Sequence, residues 1–181
     1  MSTLYLIRHG KTEANLQHRY CGSTDLPLSE VGLEELQGLH YDIRGAKFIV
    51  SGMRRTEQTL RALFGDIAYT VNPAFREVDF GAFEMKTYQE LKDCPDYQRW
   101  LTGDNMVNVP PEGESGAQMT ARVLSALPEL MGEDTVLVTH GGVIAAIMEA
   151  LFPQEGKNRY QWQPTPGHGY AVTGKTYRPI P

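Results

Sequence analysis

Two histidines, each at the end of a short apolar run, are the residues of this chain best placed to do chemistry. Leu4, Tyr5, Leu6 and Ile7 lead into Arg8, His9 and Gly10, and Val136, Leu137, Val138 and Thr139 lead into His140, Gly141 and Gly142. A neutral imidazole nitrogen is a nucleophile that can carry a covalent phosphoryl group. A guanidinium beside it binds phosphate oxygens bidentately and stays charged at working pH. Phosphoryl transfer needs an in-line nucleophile, donors for the equatorial oxygens and a proton for the leaving oxygen. His9 suits the first role. Arg8, Arg55 and His140 suit the second, each such donor supplying about 3 kcal/mol of transition-state stabilisation by analogy with oxyanion-hole deletions.

Those side chains must be brought to one place by strands and helices. Leu4–Ile7, Phe48–Val50, Tyr69–Val71 and Thr135–Thr139 read as strands. Helices are expected from Glu30, capped by Ser29, to about Tyr41, with Leu33, Leu36 and Leu39 facing inward; over Arg54–Leu63, with Leu60 and Leu63 inward; from Ser115 to about Met131, with Met119, Val123, Leu127 and Leu130 on one face; and over Val143–Leu151. Thr12–Gly32 is turn-rich and reads as a loop over the first strand end. Gly169–Val172, a turn at Thr173 and Gly174, and Lys175–Arg178 read as a terminal hairpin. Alternating strands and helices predict an α/β fold, a mostly parallel sheet with helices on both faces and a possible antiparallel edge. In such sheets ligands bind outside the carboxyl ends of the strands, where both histidines are expected. Residues 74–114 carry short helical pieces at Tyr88–Lys92 and Tyr97–Leu101 and a loop over Asn105–Gly113. They read as a cap within a single domain spanning 1–181, without internal repeat or linker.

The bulk properties set limits. The chain has 181 residues, enough for one full core. Its formal net charge of −5 disfavours nucleic acid or an anionic membrane as partner, while local arginines leave an anionic small molecule open. Cys21 and Cys94 are the only cysteines and form neither a disulfide framework nor a zinc pattern, so no metal site is expected and a reducing cytoplasm is the simple location. A strand from about Thr3 leaves no room for a signal peptide. No apolar run has the length to span a bilayer.

Five ordered motifs resemble the histidine phosphatase, or phosphoglycerate mutase-like, superfamily. The first is Arg8-His9-Gly10 with Thr12 and Asn15, followed by Gly22, Asp25, Pro27, Leu28, Ser29 and Gly32. Then come Ser51–Thr59 around Arg55, Glu77–Glu84, Glu112–Ser115, and Val138–Gly142. The resemblance implies a three-layer α/β/α sandwich and a metal-free phosphomonoester hydrolase of small phosphorylated metabolites that needs no cofactor. It implies His9 as the phosphorylated nucleophile and Arg8, Arg55 and His140 as phosphoryl-binding groups. It implies Glu77 as the acid that protonates the leaving oxygen and then the base that activates water, with Asp79 and Glu84 nearby as alternatives. Asn15, Gly141, Thr12, Cys21 and Gly22 are expected to contact or border the substrate. Such a carboxyl acid needs its pKa raised by burial or by the phosphate charge.

The chain departs from the family pattern at Lys11 (often glutamate), Gly52 (often proline), Thr56 (often alanine) and Met85 (often glycine). Lys11 is either a tuner of substrate charge preference or a solvated surface lysine. His18 and His40 read as surface or core-edge residues; His168 is a further candidate to line the pocket. Tyr97 and Trp100 are placed in the cap, packing there or against a ring-bearing substrate. The short length favours a phosphatase over the longer mutases of the family. The segments at Phe80–Met85 and Tyr97–Trp100 resemble the α-ribazole phosphatase branch, with sugar phosphates as other substrates. The alternatives are a cofactor-dependent phosphoglycerate mutase and a non-catalytic phospho-ligand-binding protein. The molecule is expected as a monomer or homodimer.

Overall fold

A computed structural model of the protein describes residues 1–104 and 106–181. In chain order it contains β1 (Thr3–Arg8), α1 (Glu13–Leu16), α2 (Glu30–Gln37), β2 (Lys47–Val50), α3 (Arg54–Phe64), β3 (Thr70–Val71), α4 (Tyr88–Leu91), α5 (Pro95–Leu101), α6 (Gly116–Ala126), β4 (Thr135–Thr139), α7 (Gly141–Leu151), α8 (Arg159–Trp162), β5 (Gly169–Thr173) and β6 (Thr176–Ile180). The strands form one sheet in the order β3-β2-β4-β1-β5-β6. The first four are mutually parallel, and β5 and β6 add the antiparallel edge.

Side-chain alternation along the strands creates the three layers. Leu4, Leu6, Ile49 and Leu137 join one core with α6 and α7, which contribute Met119, Val123, Ile144 and Ile147. Ile7, Val50, Val136 and Val138 face the other way, against Leu60 and Leu63 of α3. β4 is buried along its whole length, as expected of a central parallel strand covered on both faces. A third, smaller cluster of Phe83, Leu91, Tyr97 and Trp100 stands apart from both.

Several element boundaries differ from expectation, each for a local reason. α2 stops at Gln37, where Gly38 follows and the buried face ends: Leu36 is buried, whereas Leu33 and Leu39 are only partly so. α6 keeps α geometry only to Ala126; Pro128 lacks the amide to continue it, and Leu127–Leu130 tighten into a 3-10 turn. The third strand shrinks to two exposed edge residues. The segment read as loop over Thr12–Gly32 holds the one-turn α1, capped by Thr12. α7 begins at Gly141, two residues early, so His140 is its N-cap residue. The loop expected from Asn105 begins outside the described residues at that position; residues 106–115 form neither helix nor strand.

Candidate active site

Strand register puts the two histidines side by side. In the parallel β1–β4 ladder Arg8 lies opposite Thr139, so the next residues, His9 and His140, leave the sheet together. The His9 N–H donates to Thr139 O at 2.9 Å. The rings stand edge-on, centroids 5.2 Å apart, and both are buried.

Each ring is held by one nitrogen. His9 Nδ1 lies 2.7 Å from Gly10 O, which only a protonated Nδ1 can satisfy; in the neutral ring Nε2 then carries the lone pair. His140 Nε2 lies 2.9 Å from Ser51 Oγ, while its Nδ1 is buried without a partner. Burial, and next the charge of Arg55, holds both imidazoles well below the usual histidine pKa. Neutral imidazole is the form a nucleophile requires.

The arginines come from different elements and are anchored by carbonyls. Arg8 Nη1 donates to Pro164 O at 2.8 Å, and its buried Nε is unpartnered. A Cβ at Gly141 would lie 3.2 Å from the Arg8 guanidinium, so the arginine packs on the first turn of α7. Arg55, 1% exposed, donates to Thr24 O and Gly22 O, both at 2.8 Å. Thr59 Oγ1 accepts from the Gly10 N–H at 2.9 Å and donates to Arg55 O at 2.7 Å, tying the segment after His9 to α3.

Three carboxylates lie near this group, and they are differently occupied. Glu84 accepts from the N–H groups of Gly22 and Ser23 and from the hydroxyls of Ser23 and Thr24, so it organises the loop that anchors Arg55. Asp79 accepts from the Gly81 N–H and the Ser23 hydroxyl. Glu77 alone reaches α7: its Oε2 accepts from the Gly142 N–H at 2.9 Å. A Cβ at Gly142 would come within 2.3 Å of Glu77 Oε1, so a larger residue there would push the Glu77 carboxylate aside.

Thr12 and Asn15 form a capping box in which Asn15 Oδ1 accepts from the Thr12 N–H and hydroxyl, so its amide nitrogen is the end turned away from the box. Gly22 contributes its backbone to Arg55 and Glu84. Cys21 Sγ lies 3.5 Å from Thr24 O, and burial raises its thiol pKa, which keeps it protonated. Lys11 pairs with Glu35 at 2.9 Å on a partly exposed surface. His168 supports Arg8 through its backbone carbonyl, and its side chain is not among those lining the pocket. His18 is exposed. Two family departures acquire a backbone meaning: Gly52 has φ +91°, which proline cannot adopt, and Met85 has φ +62°, the region a glycine occupies at no steric cost.

One residue that ties this arrangement together escaped the sequence reading. Arg122 of α6 donates to Glu114 and to the carbonyls of Ala74, Arg76 and Glu77. Its signal was present: it interrupts the apolar stripe Met119, Val123, Ala126 at helical spacing, where a charge requires a partner.

A cavity of about 530 Å³ opens beside Glu77 and Gly142. Its walls include Tyr20, Phe80, Trp100, Met106, Met119 and Tyr160. The two histidines are not part of that lining, so the cavity adjoins the histidine–arginine cluster from the Glu77 side.

The Histidine phosphatase superfamily (branch 1) model matches residues 4–178. The chain belongs to this superfamily. Among curated histidine phosphatase relatives, the adenosylcobalamin/alpha-ribazole phosphatase of Escherichia coli K12 is 31% identical over 159 residues, covering 82% of this chain and 78% of that one. The probable phosphoglycerate mutase GpmB of Yersinia pestis is 28% identical over 164 residues, covering 83% and 75%. Among solved structures, a putative alpha-ribazole-5'-P phosphatase from E. coli K-12 superposes with a TM-score of 0.85 at 25% identity, covering 98% of this chain and 94% of that one. The α/β fold and the membership in a phosphatase superfamily are therefore as expected.

Proposed function

We propose that the protein hydrolyses small phosphomonoesters through a phosphohistidine, without metal or cofactor. The carrying observation is the convergence at one sheet end of His9, with its Nε2 lone pair available, and two buried nitrogens lacking partners, Arg8 Nε and His140 Nδ1. Buried polar atoms are rarely left unpaired, and cationic donors around a neutral nucleophile suit a phosphate dianion.

In the first step His9 Nε2 attacks phosphorus, the P–O bond to the alcohol breaks, and Glu77 gives its proton to the departing oxygen. In the second, Glu77 takes a proton from water, the water oxygen attacks phosphorus, and the N–P bond breaks to release phosphate and restore neutral His9. Arg8, Arg55, His140 and the Asn15 amide hold the phosphoryl oxygens, with the Gly141 backbone beside them.

The leaving group occupies the aromatic-walled cavity, which suits a ring-bearing alcohol. Its lining charges are largely matched: Glu114 pairs with Arg122 at 2.7 Å, and Arg159 lies 3.6 Å from Glu149. Among the described residues that lining carries three carboxylates, Glu77, Glu114 and Glu149, against one arginine, Arg159, a balance that favours hydrolysis of a neutral alcohol's phosphate over mutase chemistry on phosphoglycerate. With relatives named alpha-ribazole phosphatase, α-ribazole phosphate is the leading substrate, and sugar phosphates come next. Residues 74–114 act as the cap of a single domain. Two unpaired cysteines suit a reducing cytoplasm. No described helix is long and apolar enough to cross a membrane.

The test is phosphate release in EDTA from aryl phosphate, phosphoglycerates, sugar phosphates and α-ribazole phosphate, beside His9→Ala. EDTA-resistant release that disappears in the variant supports the reading. Isomerisation of phosphoglycerate without net release establishes the mutase, and binding without turnover of any member establishes a phospho-ligand-binding protein.

A further inference from the structure

The segment that carries Glu77 has no helix or strand of its own. Residues 76–80 lie between a 3-10 turn at Pro73–Phe75 and another at Gly81–Phe83. Backbone carbonyls outside regular structure must find donors elsewhere, and here one side chain supplies them. Arg122 Nη1 donates to Ala74 O at 2.8 Å and Arg76 O at 2.6 Å, and Nη2 donates to Glu77 O at 2.8 Å. Its Nε and the other Nη2 hydrogen go to the two oxygens of Glu114, at 2.9 and 2.7 Å. All five guanidinium hydrogens are thus used. Glu114 passes the restraint on: its Oε1 accepts from the Asp79 N–H at 3.3 Å, and its own N–H donates to Asp79 O at 2.9 Å.

We infer that Arg122, locked by Glu114, is a positioning residue that sets where the Glu77 carboxyl can deliver its proton. The inference rests on Glu77 being the proton-transfer group. The Glu77 side chain is held at its tip by the Gly142 N–H. Its root is held by Arg122. A carboxyl fixed at both ends keeps the geometry that proton transfer to a leaving oxygen demands. A lysine has three hydrogens and no planar fork, so it cannot reproduce the clamp.

The experiment compares an alkyl phosphate with a nitrophenyl phosphate, whose good leaving group needs little protonation. Arg122→Gln is expected to lower kcat on the alkyl ester about tenfold more than on the aryl ester, with Arg122→Lys between it and wild type. In the double variant with Glu77→Gln, the alkyl-to-aryl ratio should equal that of Glu77→Gln alone, because both act on one proton. An unchanged ratio in folded Arg122→Gln, or two losses that multiply in the double variant, overturns the inference. Glu114→Gln, which keeps the arginine, serves as the second variant should Arg122→Gln not fold, with the same expected direction. Hydrogen exchange of the phosphate-free protein supplies a readout apart from activity: the Asp79 amide should lose protection at least tenfold while β4 amides do not. Equal loss in both regions, or in neither, also overturns it. If wild type hydrolyses no phosphomonoester, the proposed function fails, and the exchange result still decides whether Arg122 orders this segment.

Discussion

His9 and His140 follow adjacent strands whose backbones are paired from Leu4 opposite Thr135 to Arg8 opposite Thr139, and both rings are buried. Glu77 and the Gly22–Thr24 loop sit on irregular backbone, held by Arg122 and Glu84 through side-chain hydrogen bonds. The two histidines are therefore placed by topology, whereas Glu77 and the loop that anchors Arg55 are placed by individual side chains. A ladder of main-chain bonds in a packed core is hard to disturb one residue at a time. A clamp made by one guanidinium or one carboxylate is not.

The largest effect should come from the sheet side. His9→Ala is expected to lower phosphate release by at least about 10⁴-fold while the protein still folds, since removal of a catalytic nucleophile costs rates of that order; retained turnover or loss of the native circular dichroism breaks the contrast. On the irregular side, Glu77→Gln should cost about 10²–10³-fold on alkyl phosphates and much less on nitrophenyl phosphate. A loss independent of leaving group would place the proton elsewhere.

Stability should divide along the same line. Trp100 is 8% exposed and packs with Tyr20, Phe80, Phe83 and Tyr97. Trp100→Ala should cost about 3 kcal/mol locally. Hydrogen exchange should then rise over residues 80–101 and leave β1 and β4 protected, and uniform loss would show the two regions to be one cooperative unit. Acid should act on the sheet side instead. Folded His9 and His140 have pKa values well below that of the unfolded chain, about 6.5, so below that pH the unfolded state binds more protons and stability falls as pH drops. At one unit below, each histidine contributes about 1 kcal/mol of loss, visible as a lower urea midpoint at pH 5.5 than at 7.5 and reduced in His140→Gln. The smallest effect concerns Met85, at φ +62°: Met85→Gly should raise stability by about 1 kcal/mol by removing a left-handed conformation from a side-chain-bearing residue, read as a higher urea midpoint.

What the sequence disclosed follows the same division. The strands, the register-matched histidines and the arginine on α3 were legible because apolar runs and helical spacing report regular structure directly. The carboxylate roles were legible only through the family resemblance, which points to Glu77; by spacing alone Glu77, Asp79 and Glu84 are equivalent. Only the fold shows that Glu84 faces four donors of one loop while Glu77 faces Gly142. Arg122 was missed because three of its four partners are backbone carbonyls, which every residue has and no motif records. The ends of α2 and α6 were overrun because apolar spacing continues past Gly38 and Pro128, where backbone chemistry ends the helix.

The aromatic cluster of Phe83, Leu91, Tyr97 and Trp100 shares no buried member with the two cores that flank the sheet. It can therefore be substituted without disturbing the interior that carries the histidines. If the adjoining cavity holds the leaving group as proposed, a transplant of residues 80–101 is the natural unit for redesigning selectivity.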